Sequence, residues 1–130
     1  MNQRVQSIAW RILVVEDDEV DALLFERLLT ASGQRFEATV RASIRDAISW
    51  LEEHEADVVL LDQSLPDGRG VEGISEIRRH IPHIPIVMMT GLNDEDMASK
   101  AVDSGAVDYL VKGESDPSTL ANAIRRAIDH

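Results

Sequence analysis

Four short apolar runs each stop at a polar side chain. Ile12–Val15 runs into Glu16-Asp17-Asp18, Val58–Leu61 into Asp62, Ile86–Met89 into Thr90, and Tyr109–Val111 into Lys112. Such β-branched runs, too short for helices, predict buried parallel strands. Between them the spacing changes to the helical period. Glu19–Ser32 carries Val20, Leu23, Leu24, Leu28 and Leu29, and Gly33 stops it. Ser43 caps a second helix striped by Ile44, Ala47, Ile48 and Leu51, after a weaker strand with Phe36, Ala38 and Val40 on one face. Val71–His80 predicts a third helix with Ile74 and Ile77 inward. A fourth, Asp94–Ser104, is capped by Asn93 and closed by Gly105, with only Met97, Ala98, Ala101 and Val102 to pack. Pro117 opens a fifth, lined by Leu120, Ile124 and Ile128.

The predicted strands are Arg11–Val15, Phe36–Val40, Asp57–Leu61, Pro85–Met89 and Val107–Val111, with Ser64–Gly70 a loop by its Pro and Gly content. Five alternating βα units predict an α/β fold: a flavodoxin-like (βα)5 three-layer sandwich on a parallel five-stranded sheet, order 2-1-3-4-5. Its switch point sets Asp17 beside Asp62, with Thr90 and Lys112 flanking Asp62. All four polar strand ends then share the carboxyl edge, where open α/β sheets bind ligands.

Length and charge narrow the chemistry. The 130 residues are enough for one domain with a real core, and no internal boundary or repeat interrupts them. The formal net charge of −11 argues against nucleic acid or an anionic membrane as a direct partner. There is no cysteine, hence no thiolate site or disulfide. No membrane-length apolar stretch or signal-like start occurs, so a cytoplasmic protein is expected.

Glu16, Asp17 and Asp62 crowd negative charge into one cleft, which a divalent cation would relieve. Magnesium suits carboxylates and bridges to phosphate oxygens, and manganese is the alternative. Asp62 could then attack phosphorus, with Lys112 and the Thr90 hydroxyl meeting the transferring group. Read singly, the same residues are ordinary: Asp17 and Asp18 as helix caps, Asp62 as a loop starter, Met88 and Met89 as core. Their joint placement gives them weight. His54, His80, His83 and His130 form no metal pair, and Gly68 and Gly70 make no phosphate-binding fingerprint.

The segments Ile12–Asp18, Leu60–Gly68, Val87–Gly91 and Asp108–Lys112 resemble the receiver domain of bacterial two-component response regulators, of the chemotaxis-regulator-like kind. The likeness covers the chain beyond a ten-residue extension, making residues 11–130 the receiver. It implies that Asp62 is the phosphoacceptor and Asp17 a direct magnesium ligand. It also implies that Glu16 acts through water and that the Ser64 backbone carbonyl completes the metal site. Thr90 matches the switch hydroxyl, Lys112 its cationic partner and Tyr109 the aromatic switch position. The implied partners are a sensor histidine kinase or histidine phosphotransfer protein upstream and an effector or fused output domain downstream. A weak homodimer through the output face is a further expectation. The chain would be no turnover enzyme, catalysing only its own phosphorylation and slow dephosphorylation. Gly113 stands where many members carry proline, and Leu92, two beyond Thr90, cannot orient a hydrolytic water.

Three other classes fit less well. An aspartyl-phosphate phosphohydrolase would want an acid where Ser64 stands, and a substrate cap for which no length is spare. A flavin carrier would want a phosphate loop where the acidic cluster lies. A degenerate receiver that only binds partners would not keep Asp17, Asp62, Thr90 and Lys112 together.

Overall fold

The computed structural model describes residues 9–69, 71–91, 95–114 and 116–129. Helices and strands alternate: β1 (Trp10–Val15), α1 (Glu19–Ser32), β2 (Phe36–Arg41), α2 (Ile44–Glu53), β3 (Val58–Asp62), a hairpin of β4 (Ser64–Leu65) and β5 (Gly68–Arg69), α3 (Glu72–His80), β6 (Ile86–Thr90), α4 (Glu95–Asp103), β7 (Asp108–Val111) and α5 (Pro117–Asp129). The five long strands form one parallel sheet, order β2-β1-β3-β6-β7. This is the expected flavodoxin-like order once the small hairpin is set apart.

The central strands are apolar without alternation because both their faces are covered. Every residue of β3 and β6 is buried, including Asp62 and Thr90 at their ends. Leu13, Val59, Leu61, Ile86 and Met88 face α2 and α3, with Ala101 of α4 joining them. Ile12, Val14, Leu60, Val87 and Met89 face α1 and α5 through Phe25, Leu29, Leu120 and Ile124. Helix ends follow the predicted chemistry. Asp18 accepts from the Val20 and Asp21 N–H groups, Ser43 from Asp46, and Gly33 turns out of α1 at φ +83°.

Three expectations are corrected. Helix α1 buries Ala22, Phe25 and Leu29, not the stripe begun by Val20, Leu23 and Leu24, which are 74%, 48% and 43% exposed. The run LLFERLL offers two overlapping stripes, and the one carrying the larger Phe25 ring goes inward. In α4, Val102 faces solvent while Ala101 is buried. The β4–β5 hairpin lies inside the segment expected to be plain loop. Asn93, Leu92, Gly70 and His130 lie outside the described residues.

Two side chains tie loops to this frame. Asp67 accepts from the Ile44 and Arg45 N–H groups at 2.9 and 3.0 Å, fastening the turn after β4 onto the α2 N-terminus. These bonds outweigh desolvation and hold its carboxyl below the ordinary range. Arg78 of α3 donates to the carbonyls of Ile84 and, at 2.7 Å, Gly105, joining the approach to β6 to the exit of α4.

Candidate functional site

The four polar strand ends meet at the carboxyl edge of the sheet, as topology requires. Register sets Val15 beside Leu61 and Asp62 beside Met89, with Thr90 beside Val111. The residues that follow each strand therefore rim one cleft. It is open, about 440 Å³, and lined by Glu16, Asp17, Asp18, Asp21, Asp62, Gln63, Ser64, Thr90, Gly91 and Lys112.

Lys112 is the hub. Its Nζ lies 2.5 Å from Glu16 Oε1, 3.0 Å from Asp21 Oδ2 and 3.1 Å from Asp62 Oδ1. Burial alone would lower its pKa, but the hydrogen bonds it donates to these three carboxylates outweigh that and hold its pKa above the ordinary value. Glu16 is only 2% exposed. Burial drives its carboxyl up to about 7 and neighbouring Asp62 adds to the rise, against the pull of Lys112.

Ligand oxygens of Glu16, Asp17 and Asp62 all lie within 4.8 Å of one another. Three hard oxygen donors, with Asp21 close by and one ammonium among five acids, suit a magnesium-type ion in both donor chemistry and charge. Asp17 is exposed to the cleft mouth while Asp62 is buried at its floor. Ser64 opens the β4–β5 hairpin and is exposed at the rim, paired with Arg69.

On the far side of Asp62, the Thr90 hydroxyl donates to the Gln63 side-chain carbonyl. Tyr109 is half-buried against the α2–α4 face of the core, beside Met88 in register. Gly113, next to Lys112, takes φ +83°, a conformation glycine adopts at little cost.

The candidates singled out from sequence line this cleft, except Tyr109, which lies beside Met88 on the neighbouring strand. Leu92 lies outside the described residues. Two cleft residues escaped the sequence reading. Asp21 carried a usable signal, since it lies in the first turn of the helix that follows the acidic strand end. Gln63 carried none beyond its place next to Asp62.

Comparison with known proteins agrees with this geometry. A model of the response regulator receiver domain matches residues 12–125. Response regulator protein VraR of Staphylococcus epidermidis is 30% identical over 122 residues, covering 94% of this chain and 58% of VraR. DNA-binding transcriptional regulator NtrC of Proteus hauseri is 35% identical over 119 residues, covering 92% of this chain and 24% of NtrC. The chain spans between about a quarter and three fifths of the curated relatives it matches. Among solved structures, a response regulator receiver domain from Clostridium thermocellum superposes with a TM-score of 0.80 at 30% identity, covering 95% of that chain and 94% of this one. The receiver domain of a sensor histidine kinase from Pseudomonas aeruginosa, with a magnesium ion coordinated in its active-site cleft, gives 0.79 at 26% identity, covering 95% of this chain and 100% of that one.

Proposed function

Because this chain belongs to the response regulator receiver domains, we propose that Asp62 accepts a phosphoryl group from a phosphohistidine and that the added charge switches a partner-binding surface. The observation that carries this reading is the convergence of Glu16, Asp17, Asp62 and Lys112 in one cleft, with Thr90 at its side.

An Asp62 oxygen attacks phosphorus. The phosphorus–nitrogen bond of the donor breaks, and its electron pair leaves with the imidazole. Lys112 stands 3.1 Å from Asp62 Oδ1, close enough to meet a phosphoryl oxygen built on that carboxylate. Asp17, Asp62 and the Ser64 carbonyl would hold magnesium, or manganese, with Glu16 acting through water. That ion would offset the negative charge gathered on the reacting oxygens. The chain acts as phosphoacceptor and not as a turnover hydrolase, since Ser64 supplies no second acid.

The product carries extra charge beside Thr90. Thr90 turning toward it, with Tyr109 following, would alter the face built from α4, β7 and α5. The partners are a histidine kinase or phosphotransfer protein and a downstream effector or fused output domain, in the cytoplasm. Residues 11–130 would form the receiver and 1–10 an extension, with weak self-association through the output face. No helix among the described residues is long and apolar enough to cross a membrane.

The test is intact mass after incubation with acetyl phosphate and magnesium. A gain of one phosphoryl group, lost in Asp62→Asn and in chelator, is expected. No gain in the wild-type chain, under conditions that label a control receiver, would turn the reading toward a phosphorylation-independent interaction module.

A further inference from the structure

Gln63 stands where no catalytic group is needed, yet its carboxamide is engaged by the residue that the receiver reading makes the switch. One step past the paired Asp62 and Met89, Gln63 and Thr90 lie side by side, and the Thr90 hydroxyl donates to Gln63 Oε1. The backbone around this contact is held from both sides. Gln63 N–H donates to the Met89 carbonyl at 2.8 Å, and Lys112 N–H to the Thr90 carbonyl at 2.6 Å. Thr90 therefore has little freedom to travel as backbone. What it can change is its side-chain rotamer and the acceptor of its hydroxyl proton.

A hydroxyl has one proton to donate. While Gln63 Oε1 holds it, no phosphoryl oxygen on Asp62 can take it. We propose that Gln63 is a latch on the switch: it takes up the Thr90 hydroxyl proton in the unphosphorylated chain and so sets how readily phosphorylation of Asp62 turns the switch. The inference rests on the receiver reading and adds to it a positioning residue that acts through Thr90. The geometry also gives the latch a graded strength. A neutral hydrogen bond at a half-buried site biases a two-state equilibrium by roughly threefold to tenfold. That is enough to hold the resting chain back and small enough for a phosphoryl group to overcome, because charged acceptors bind a hydroxyl more strongly than a carboxamide does.

The test is a double-mutant cycle with Gln63→Met, which keeps the side-chain length and removes the acceptor, and Thr90→Val, which removes the proton. The readout is the initial rate of acetyl phosphate labelling with magnesium, followed by intact mass. Gln63→Met is expected to raise the rate roughly threefold to tenfold when Thr90 is intact and to change it less than about 1.5-fold in the Thr90→Val background. A side chain that mattered only for packing would act equally in both backgrounds. An equal change in both, or no change with Thr90 intact, overturns the latch while leaving the receiver reading in place. A wild-type chain that takes no label overturns the receiver reading, and the latch with it.

Discussion

The Lys112 ammonium lies 3.0 Å from Asp21 Oδ2, bridging 91 residues of sequence between the loop after β7 and the first turn of α1. Asp21 thus shares the cation that also contacts Glu16 and Asp62, and it adds a further carboxylate to the cleft. Glu16 and Asp62 also contact Lys112, at 2.5 and 3.1 Å. Asp21 mainly adds negative charge that an incoming phosphodonor must approach.

Asp21→Asn is therefore expected to speed acetyl phosphate labelling by roughly twofold to fivefold at low salt, the size of a partly solvated charge pair at this range. The gain should shrink in about 0.5 M salt, where the screening length is only a few ångströms. Labelling rates at both salt concentrations check this. A slower Asn variant would show that Asp21 is required to position Lys112.

Glu16 gives the metal-free protein a predictable pH dependence. Its carboxyl rises from 4.5 to about 7 on folding. The folded chain thus binds that proton more tightly than the unfolded one. The associated stability is present below about pH 4.5 and is lost as pH rises through about 7. That interval, at about 1.4 kcal/mol per pH unit, bounds the loss at about 3–4 kcal/mol. Asp67 and Asp116, whose carboxyls are lowered by backbone hydrogen bonds, work in the opposite sense, and only near and below the ordinary aspartate value of 3.8. Urea unfolding at about pH 5 and about pH 7.5 in chelator should show the decline in the wild type. Glu16→Gln should flatten it and be the more stable protein at the higher pH. An equal slope in both would assign the effect elsewhere.

The two stripes of α1 should separate cleanly on truncation. Phe25 is 5% exposed against the α1–α5 face of the core, whereas Leu23 is 48% exposed. Phe25→Ala is expected to cost about 3–5 kcal/mol and Leu23→Ala under about 1 kcal/mol. Denaturant midpoints decide the matter. Similar losses would mean that the helix is rotated from the orientation described.

Arg78 and Gly105 form a joint between α3 and α4. Gly105 takes φ +113°, and a Cβ there would come within 3.0 Å of Arg78 Nε. Gly105→Ala is expected to lose about 1–3 kcal/mol from backbone strain and from displacing that guanidinium. Arg78→Lys should lose a comparable amount, because one ammonium does not reproduce a fork spanning the Ile84 and Gly105 carbonyls. Thermal melts test both. A neutral Arg78→Lys would show that a point charge suffices.

The strands were legible because a strand buried on both faces needs an unbroken apolar run, and Val58–Leu61 and Ile86–Met89 have few alternatives at that length. The carboxylates, Thr90 and Lys112 were legible because each ends such a run, so topology alone carries them to one edge. The inward face of α1 was not, since a leucine-rich helix offers two stripes and only the packed volume of Phe25 chooses between them. The β4–β5 hairpin has two residues per strand, too few for a period. Gln63, Asp67 and Arg78 matter through side-chain hydrogen bonds to residues far along the chain or in other loops, which no local pattern encodes.

The Arg125 guanidinium stacks on Trp10 at 5.6 Å from the ring centroid, joining the first residue of β1 to the last turns of α5. Because β1 points toward the cleft and α5 runs back from it, this corner lies at the opposite rim of the sheet. A short flexible linker can therefore join the end of α5 to the start of β1, and the chain be reopened at a surface turn far from the cleft. The resulting circular permutant would keep the order of the sheet and leave the acidic cleft untouched. A fluorophore or tether placed at the same corner would report on the molecule without standing in the way of a phosphodonor.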